Sequence, residues 1–174
     1  MESKSRKAQI WVETVIYTLI GLAVIGILLA VVNPKIEKMK DKLVIEQTIE
    51  SLNNIDSKIK EVISRGPGNK RIVEVKVSKG ILLIDSENDR IVWSLDSGYQ
   101  YSEPDRTIAL GNLKVLTKES TPYKIELSAD YSADIVYDSM DLQKELSSAE
   151  NPYTLIIENL GSSGERIKIN LEAN

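Results

Sequence analysis

The sequence predicts an α+β protein: a long N-terminal helix, part membrane span and part amphipathic stalk, followed by an antiparallel β-sheet or sandwich domain. Three observations predict it. Residues 10–32 (IWVETVIYTLIGLAVIGILLAVV) carry a single charge in 23 positions. Over 35–65 apolar residues recur mostly at steps of three and four, with Lys and Glu between them. Beyond residue 70 the period falls to two and the apolar runs shorten to strand length.

The apolar run comes first, and its length decides its surroundings. At ~1.5 Å per residue it reaches ~35 Å, slightly more than the ~30 Å hydrocarbon core of a bilayer, and longer than a core helix of a small soluble domain needs. It also exceeds the roughly 7 to 15 apolar residues of an ordinary secretory signal, and its exit, Ala30-Val31-Val32-Asn33-Pro34, lacks a small-x-small cleavage site. Lys4, Arg6 and Lys7 precede the run while Lys35, Lys38, Lys40 and Lys42 follow it, so the positive-inside count selects no orientation. Gly21 and Gly26 are candidate helix-packing positions.

The stalk, 34–65, is set off from the span only by Asn33-Pro34, where the missing N–H predicts a kink or a break. Unbroken, residues 9–65 would form a rod of roughly 85 Å. Its apolar positions, Ile36, Met39, Leu43, Ile45, Ile49, Leu52, Ile55, Ile59, Val62 and Ile63, require a partner: the C-terminal domain, neighbouring subunits, or both. Arg65-Gly66-Pro67-Gly68-Asn69 ends the helix, with glycines suited to left-handed capping.

Strands are predicted at 71–78, 80–85, 90–95, 107–111, 113–118, 122–129, 134–137, 153–159 and 165–171. Residues 86–89 and 160–164 read as hairpin loops, and 138–149 as a surface loop or short helix. About 109 residues of such pattern bury a core without disulfides.

Composition excludes a good deal. The chain of 174 residues has no Cys and no His, which removes disulfides, thiolate metal sites, cysteine nucleophiles and the commonest neutral-pH base. An enzyme is not expected, and nothing in the chain calls for a metal or cofactor. Net charge divides unevenly: +2 over 1–8, −1 over 9–33, +1 over 34–65 and −6 over 66–174. So acidic a C-terminal domain argues against nucleic acid as a partner.

Two acidic constellations have plainer readings. Asp85, Glu87 and Asp89, with Asp96 at the twelfth place, echo a calcium loop, but the glycine at the sixth place is missing and the flanks read as strands. Asp130, Asp134, Asp138 and Asp141 read as a solvated surface. Ser57 with Lys60 lies on the stalk helix without a pocket, and the chain holds no Asn-x-Ser/Thr sequon.

Glu13 is the single charge of the span. A charge at the bilayer centre costs roughly 2.5 to 3.5 kcal/mol and less toward the interface, and near a helix N-terminus a carboxylate also suits the dipole. It falls five residues into a segment that starts directly after the basic leader Met1-Glu2-Ser3-Lys4-Ser5-Arg6-Lys7-Ala8. In this the N-terminus resembles the class III signal peptide of type IV pilins, in particular the archaeal pilin- and archaellin-like version. The resemblance implies cleavage by a prepilin-type peptidase on the cytoplasmic side, between Lys7-Ala8 and Gln9, leaving Gln9 as the new terminus and Glu13 as the fifth residue. Ala8 stands where Gly is commonest in that family, Trp11 where archaeal members often have Ser, and Tyr17 where an aliphatic residue is usual.

The division implied is a cleaved leader (1–8), a transmembrane and filament-core helix (9–33), a stalk (34–65) and an extracellular β domain (66–174). The resemblance also implies a function: a structural subunit, anchored in lipid with its N-terminus cytoplasmic, that polymerises with other pilin-like subunits through its N-terminal helix into a surface filament. In that role the Glu13 carboxylate pairs with the α-amino group of Gln9 on a neighbouring subunit. The alternative from a different class is a single-pass anchored extracellular domain that binds a partner and never polymerises.

Overall fold

A computed structural model describes the backbone of residues 2–174 and the side chains of 11–162 and 164–174. Helix α1 (Glu2–Arg65) is followed by β1 (Lys70–Val75), β2 (Ile81–Asp85), a 3-10 turn (Ser86–Asn88) and β3 (Arg90–Ser97). Then come β4 (Thr107–Leu110), β5 (Leu113–Lys118), β6 (Tyr123–Asp130), β7 (Asp134–Tyr137), β8 (Gln143–Ser147), β9 (Tyr153–Ser163) and β10 (Arg166–Ala173). This is the α+β layout of one long helix followed by β-sheets. The chain divides into two compact units, Met1–Met39 and Lys40–Asn174.

Proline 34 does not break the helix: α1 stays helical through it to Arg65, losing at that point only the hydrogen bond that a proline cannot donate. The helix ends where expected, because Gly66 takes φ +86° and the Asn69 side chain donates to the carbonyls of Arg65 and Gly66, both at 3.0 Å.

In the second unit, α1 buries Ile45, Thr48, Leu52, Ile55, Ile59 and Val62, at alternating steps of three and four. The apolar stalk positions are therefore not a single stripe. Leu43 lies two residues, about 200° of turn, before Ile45 and is 56% exposed. The buried face joins one core with both sheets: Val73, Val75, Leu155, Ile157, Ile169 and Leu171 from the first, and Leu82, Ile84, Ile91, Trp93, Leu113, Val115, Ile125 and Leu127 from the second.

The first sheet has the order β1-β9-β10-β7 and the second β4-β5-β6-β3-β2-β8. All neighbours run antiparallel except β7 and β10, paired in parallel from Lys168↔Asp134 to Leu171↔Tyr137. That exception follows from connectivity, since β8 joins the other sheet and β9 intervenes before the chain returns.

Two loops differ from expectation. Residues 138–149 contain β8, which pairs with β2 as the edge of the second sheet. Only Leu146 of its five residues is buried, so the alternation that marks the other strands is missing. Residues 160–164 are mostly strand: β9 continues to Ser163, and Leu160 is passed over where the register shifts between Lys168 and Ile169, a bulge. The turn is Gly164-Glu165.

Gly80 is required by both conformation and space. Its φ is +83°, and a Cβ would lie 2.1 Å from the Ser94 carbonyl oxygen. Alongside, the buried Trp93 indole donates to the Lys79 carbonyl at 3.0 Å, fixing the approach to β2.

Candidate functional site: the exposed face of the N-terminal helix

Within the unit Met1–Met39 the described residues, from Glu2 on, are one helix, and the described side chains are all exposed. Helical propensity and the apolar sequence make the helix, and its described side chains stay open from Trp11 to Met39. From Trp11 the helix contains a stretch long and apolar enough to cross a membrane. Trp11 is 72% exposed, and Val12, Ile16, Leu19, Leu22, Ile25 and Leu29 are also open. Within the stretch the Thr18 hydroxyl donates to the Thr14 carbonyl at 2.8 Å, so that this hydroxyl is satisfied within the helix.

The residues singled out by sequence fall as follows. Lys7, Ala8 and Gln9 lie in the helical backbone of α1, but their side chains are outside those described. Glu13 is exposed, and no hydrogen bond or ion pair joins it to another described residue. Gly21 and Gly26 both have open space where a side chain would stand, with nothing within 4 Å. Five residues apart, they point about 140° away from each other, so they do not share a packing face. The small residues that do share one are Ala23, Gly26 and Ala30, at steps of three and four, a signal readable from spacing alone.

Apolar exposure continues past Pro34. Ile36 is 43% and Met39 67% exposed, while Lys35 and Lys38 alternate with them. From Trp11 to Met39 is about 42 Å of helix, longer than the ~30 Å hydrocarbon core.

In the second unit, carboxylates do structural work. Asp41 pairs with Lys79 and accepts from the Gly98 N–H at 2.6 Å, tying α1 to the β1–β2 connection and to the end of β3. Asp56, buried on α1, accepts from Lys60 at 2.6 Å and from Asn112 in the β4–β5 turn at 2.9 Å. The buried Tyr131 hydroxyl lies near Asp56 without a hydrogen bond of good geometry; burial, then that carboxylate, pushes its phenol above the usual range. Glu61 accepts from Arg71 at 2.8 Å and Lys58 at 3.0 Å, which hold its pKa down at about 2.

The carboxylates that echo a calcium loop are engaged in holding the hairpin. Burial works against the charge of Asp85, yet Arg90 at 2.7 Å and Asn88 hold its carboxyl below the usual range. Asp89, in the left-handed region, pairs with Arg166 at 2.8 Å and accepts from the Ile135 N–H. Asp130 pairs with Lys114 and Asp134 with Lys168. Among the described residues no three acidic side chains converge as a metal site would require.

Sequence reasoning did not find Asn159. Its side-chain amide donates to the Val62 carbonyl in the last turn of α1 at 2.9 Å, and its oxygen accepts from the Gly161 N–H at 2.8 Å. Only the Asn-Leu-Gly sequence beside the bulge hinted at it.

Comparison with known protein families, curated proteins and solved structures finds no match.

Proposed function

We propose that this chain is a pilin-like structural subunit with no enzymatic activity, held in a membrane by α1 before it polymerises through α1 into a surface filament. The observation that carries the reading is the surplus of uncovered apolar helix. Lys35 and Lys38 set the level of the lipid headgroups, yet Ile36 and Met39 beyond Val32 remain open. Lipid covers about 30 Å of the 42 Å, and apolar helices of neighbouring subunits cover the whole.

The leader 1–8 is removed by a prepilin-type peptidase, the N-terminus faces the cytoplasm, and the β domain lies outside the cell. Moving α1 from lipid into a filament changes one apolar surrounding for another, so the hydrophobic effect contributes little. Close packing along Ala23, Gly26 and Ala30, and the pairing of Glu13 with the Gln9 α-amino group of a neighbour, supply the specificity. That pair is strong where helices exclude water.

Mass spectrometry of the protein from its native membrane should find a mature terminus at Gln9; an intact Met1 overturns the processing. Glu13→Ala should abolish surface filaments seen by electron microscopy while leaving the anchored protein in the membrane. Filament formation unaffected by Glu13→Ala rejects the assembly role, and a membrane-bound chain that never forms filaments is the anchored binding domain instead.

A further inference from the structure

The free edge of β1 has a pattern that matches itself. β1 is the outer strand of the first sheet, paired on one side only, with β9. Which of its backbone groups face outward is fixed by the ladder. Asn159 N donates to Asn69 O, and Thr154 and Asn174 exchange both their backbone bonds, so β9 residues 154, 156 and 158 face β10 while 155, 157 and 159 face β1. Their partners 69, 71 and 73 point inward across the ladder. The N–H and C=O groups of Lys70, Ile72 and Glu74 therefore point away from the sheet, where the Lys70 carbonyl already accepts from the Arg71 guanidinium at 2.6 Å and keeps its second lone pair.

The side chains of these three residues are exposed, and Ile72 is 66% so. The edge is also accessible. A groove of about 690 Å³ runs beside it, lined by Gln47, Ser51 and Asn54 of α1 and by Glu74, Lys76 and Ser78.

We infer that β1 is a docking edge for a second copy of this chain, pairing antiparallel with the partner's β1 about a two-fold axis at Ile72. In that register Ile72 meets its own equivalent, and Lys70 of each chain faces Glu74 of the other. Every outward backbone group of the three residues finds a partner, and the two four-stranded sheets become one sheet of eight. The match depends on opposite charges placed two residues on either side of one exposed aliphatic residue. The other edges lack it: β4 is uncharged, β8 puts Lys144 and Glu145 on opposite faces, and Tyr137 of β7 bridges back to Met140. Lys70 already sits 2.8 Å from Glu158, so the partner's Glu74 would join an existing ion pair.

So short an edge is a weak contact between two chains, which a covalent trap still registers as a rate. A two-fold contact is the same from both sides, so it cannot repeat along a polar filament. It joins chains of separate assemblies, and it does not depend on filament formation.

The test uses the full chain in detergent, where filaments play no part. Because the native chain has no Cys, Ile72→Cys and Met140→Cys each introduce a unique exposed thiol. With a short bismaleimide, Ile72→Cys should form covalent dimers at least tenfold faster than Met140→Cys. Adding Glu74→Lys should bring the rate down to that of Met140→Cys. Mixing Glu74→Lys chains with Lys70→Glu chains, both carrying Ile72→Cys, should restore it, because opposite charges again face each other. Equal rates for the two thiols, or indifference to Glu74→Lys, overturns the proposal; a mixture that stays unlinked overturns the assigned ion pairs.

Discussion

The two units contain parts of one helix that meet opposite fates. In Met1–Met39 every described side chain is exposed, whereas from Lys40 onward α1 buries seven residues, Asp56 among them. Both parts are helical and both are rich in Ile, Leu and Val. The difference lies in periodicity: apolar residues surround the first part on all sides, while from Val44 on in the second they gather toward one face, with Lys and Glu elsewhere. A helix apolar all round cannot be satisfied by one domain, and one with a single stripe can. Thr18 and Thr48 make the same point in small, since each hydroxyl returns to a carbonyl four residues back at 2.8 Å, the one on an uncovered apolar surface and the other in a core.

Changes that strike only one part sharpen this contrast. The largest effect is expected from Gly80→Ala, which combines a left-handed backbone with a clash against the Ser94 carbonyl. It should destabilise the second unit by about 3 kcal/mol or more, read as a lowered denaturant midpoint by circular dichroism at β wavelengths. If the midpoint holds, the approach of the β1–β2 turn to β3 is not as close as described.

Next are paired truncations within the helix. Leu52→Ala, in the core, should cost about 2 to 5 kcal/mol, whereas Leu28→Ala should leave the denaturant midpoint of the second unit within about 0.5 kcal/mol. Equal losses for the two would break the comparison.

Asn159→Ala removes the donor to the Val62 carbonyl at the buried end of α1 and should cost about 1 to 3 kcal/mol. Hydrogen exchange should localise the loss to the last turn of the helix; a uniform loss of protection would assign Asn159 a wider role.

The smallest effect is the pH dependence from Glu61. Its folded pKa is depressed, so its contribution is present above the ordinary carboxylate value of 4.5 and fades as pH falls from there to about 2. Glu61→Gln should flatten the thermal midpoint across that window. A slope unchanged by the substitution would transfer the acid sensitivity to another carboxylate.

Most of the fold was legible because burial imposes an alternation that sequence displays. β5 is predicted at its observed bounds and β7 likewise, each with inward and outward residues of contrasting polarity or a compact apolar run. β8 escaped because an edge strand needs only one buried residue, and Leu146 alone gives no period. The bulge at Leu160 escaped because Gly161 and its serines imitate a turn. In the stalk, Ile36, Met39 and Leu43 read as one series with Ile45 because both sets step by three and four; the two-residue interval from 43 to 45 changes the face, and composition does not record faces. Of the site, Glu13 was legible as the one charge in an apolar run. The shared face of Ala23, Gly26 and Ala30 is set by angle along the helix, whereas Gly21 and Gly26 stand out by residue type alone. Asn159 was hidden because its role depends on a carbonyl 97 residues earlier in the chain.

The chain has two tryptophans, and each unit has one. Trp11 is open at the start of the membrane-length stretch, and Trp93 is 1% exposed with its indole N–H engaged. The protein thus contains its own pair of optical reporters. In the proposed membrane anchoring, quenching by lipid-borne bromine reports on Trp11, and the emission of the buried Trp93 reports on the sheets. Substituting either one with Phe leaves a single-colour readout of insertion or of folding, so the two events can be timed separately in the same membrane.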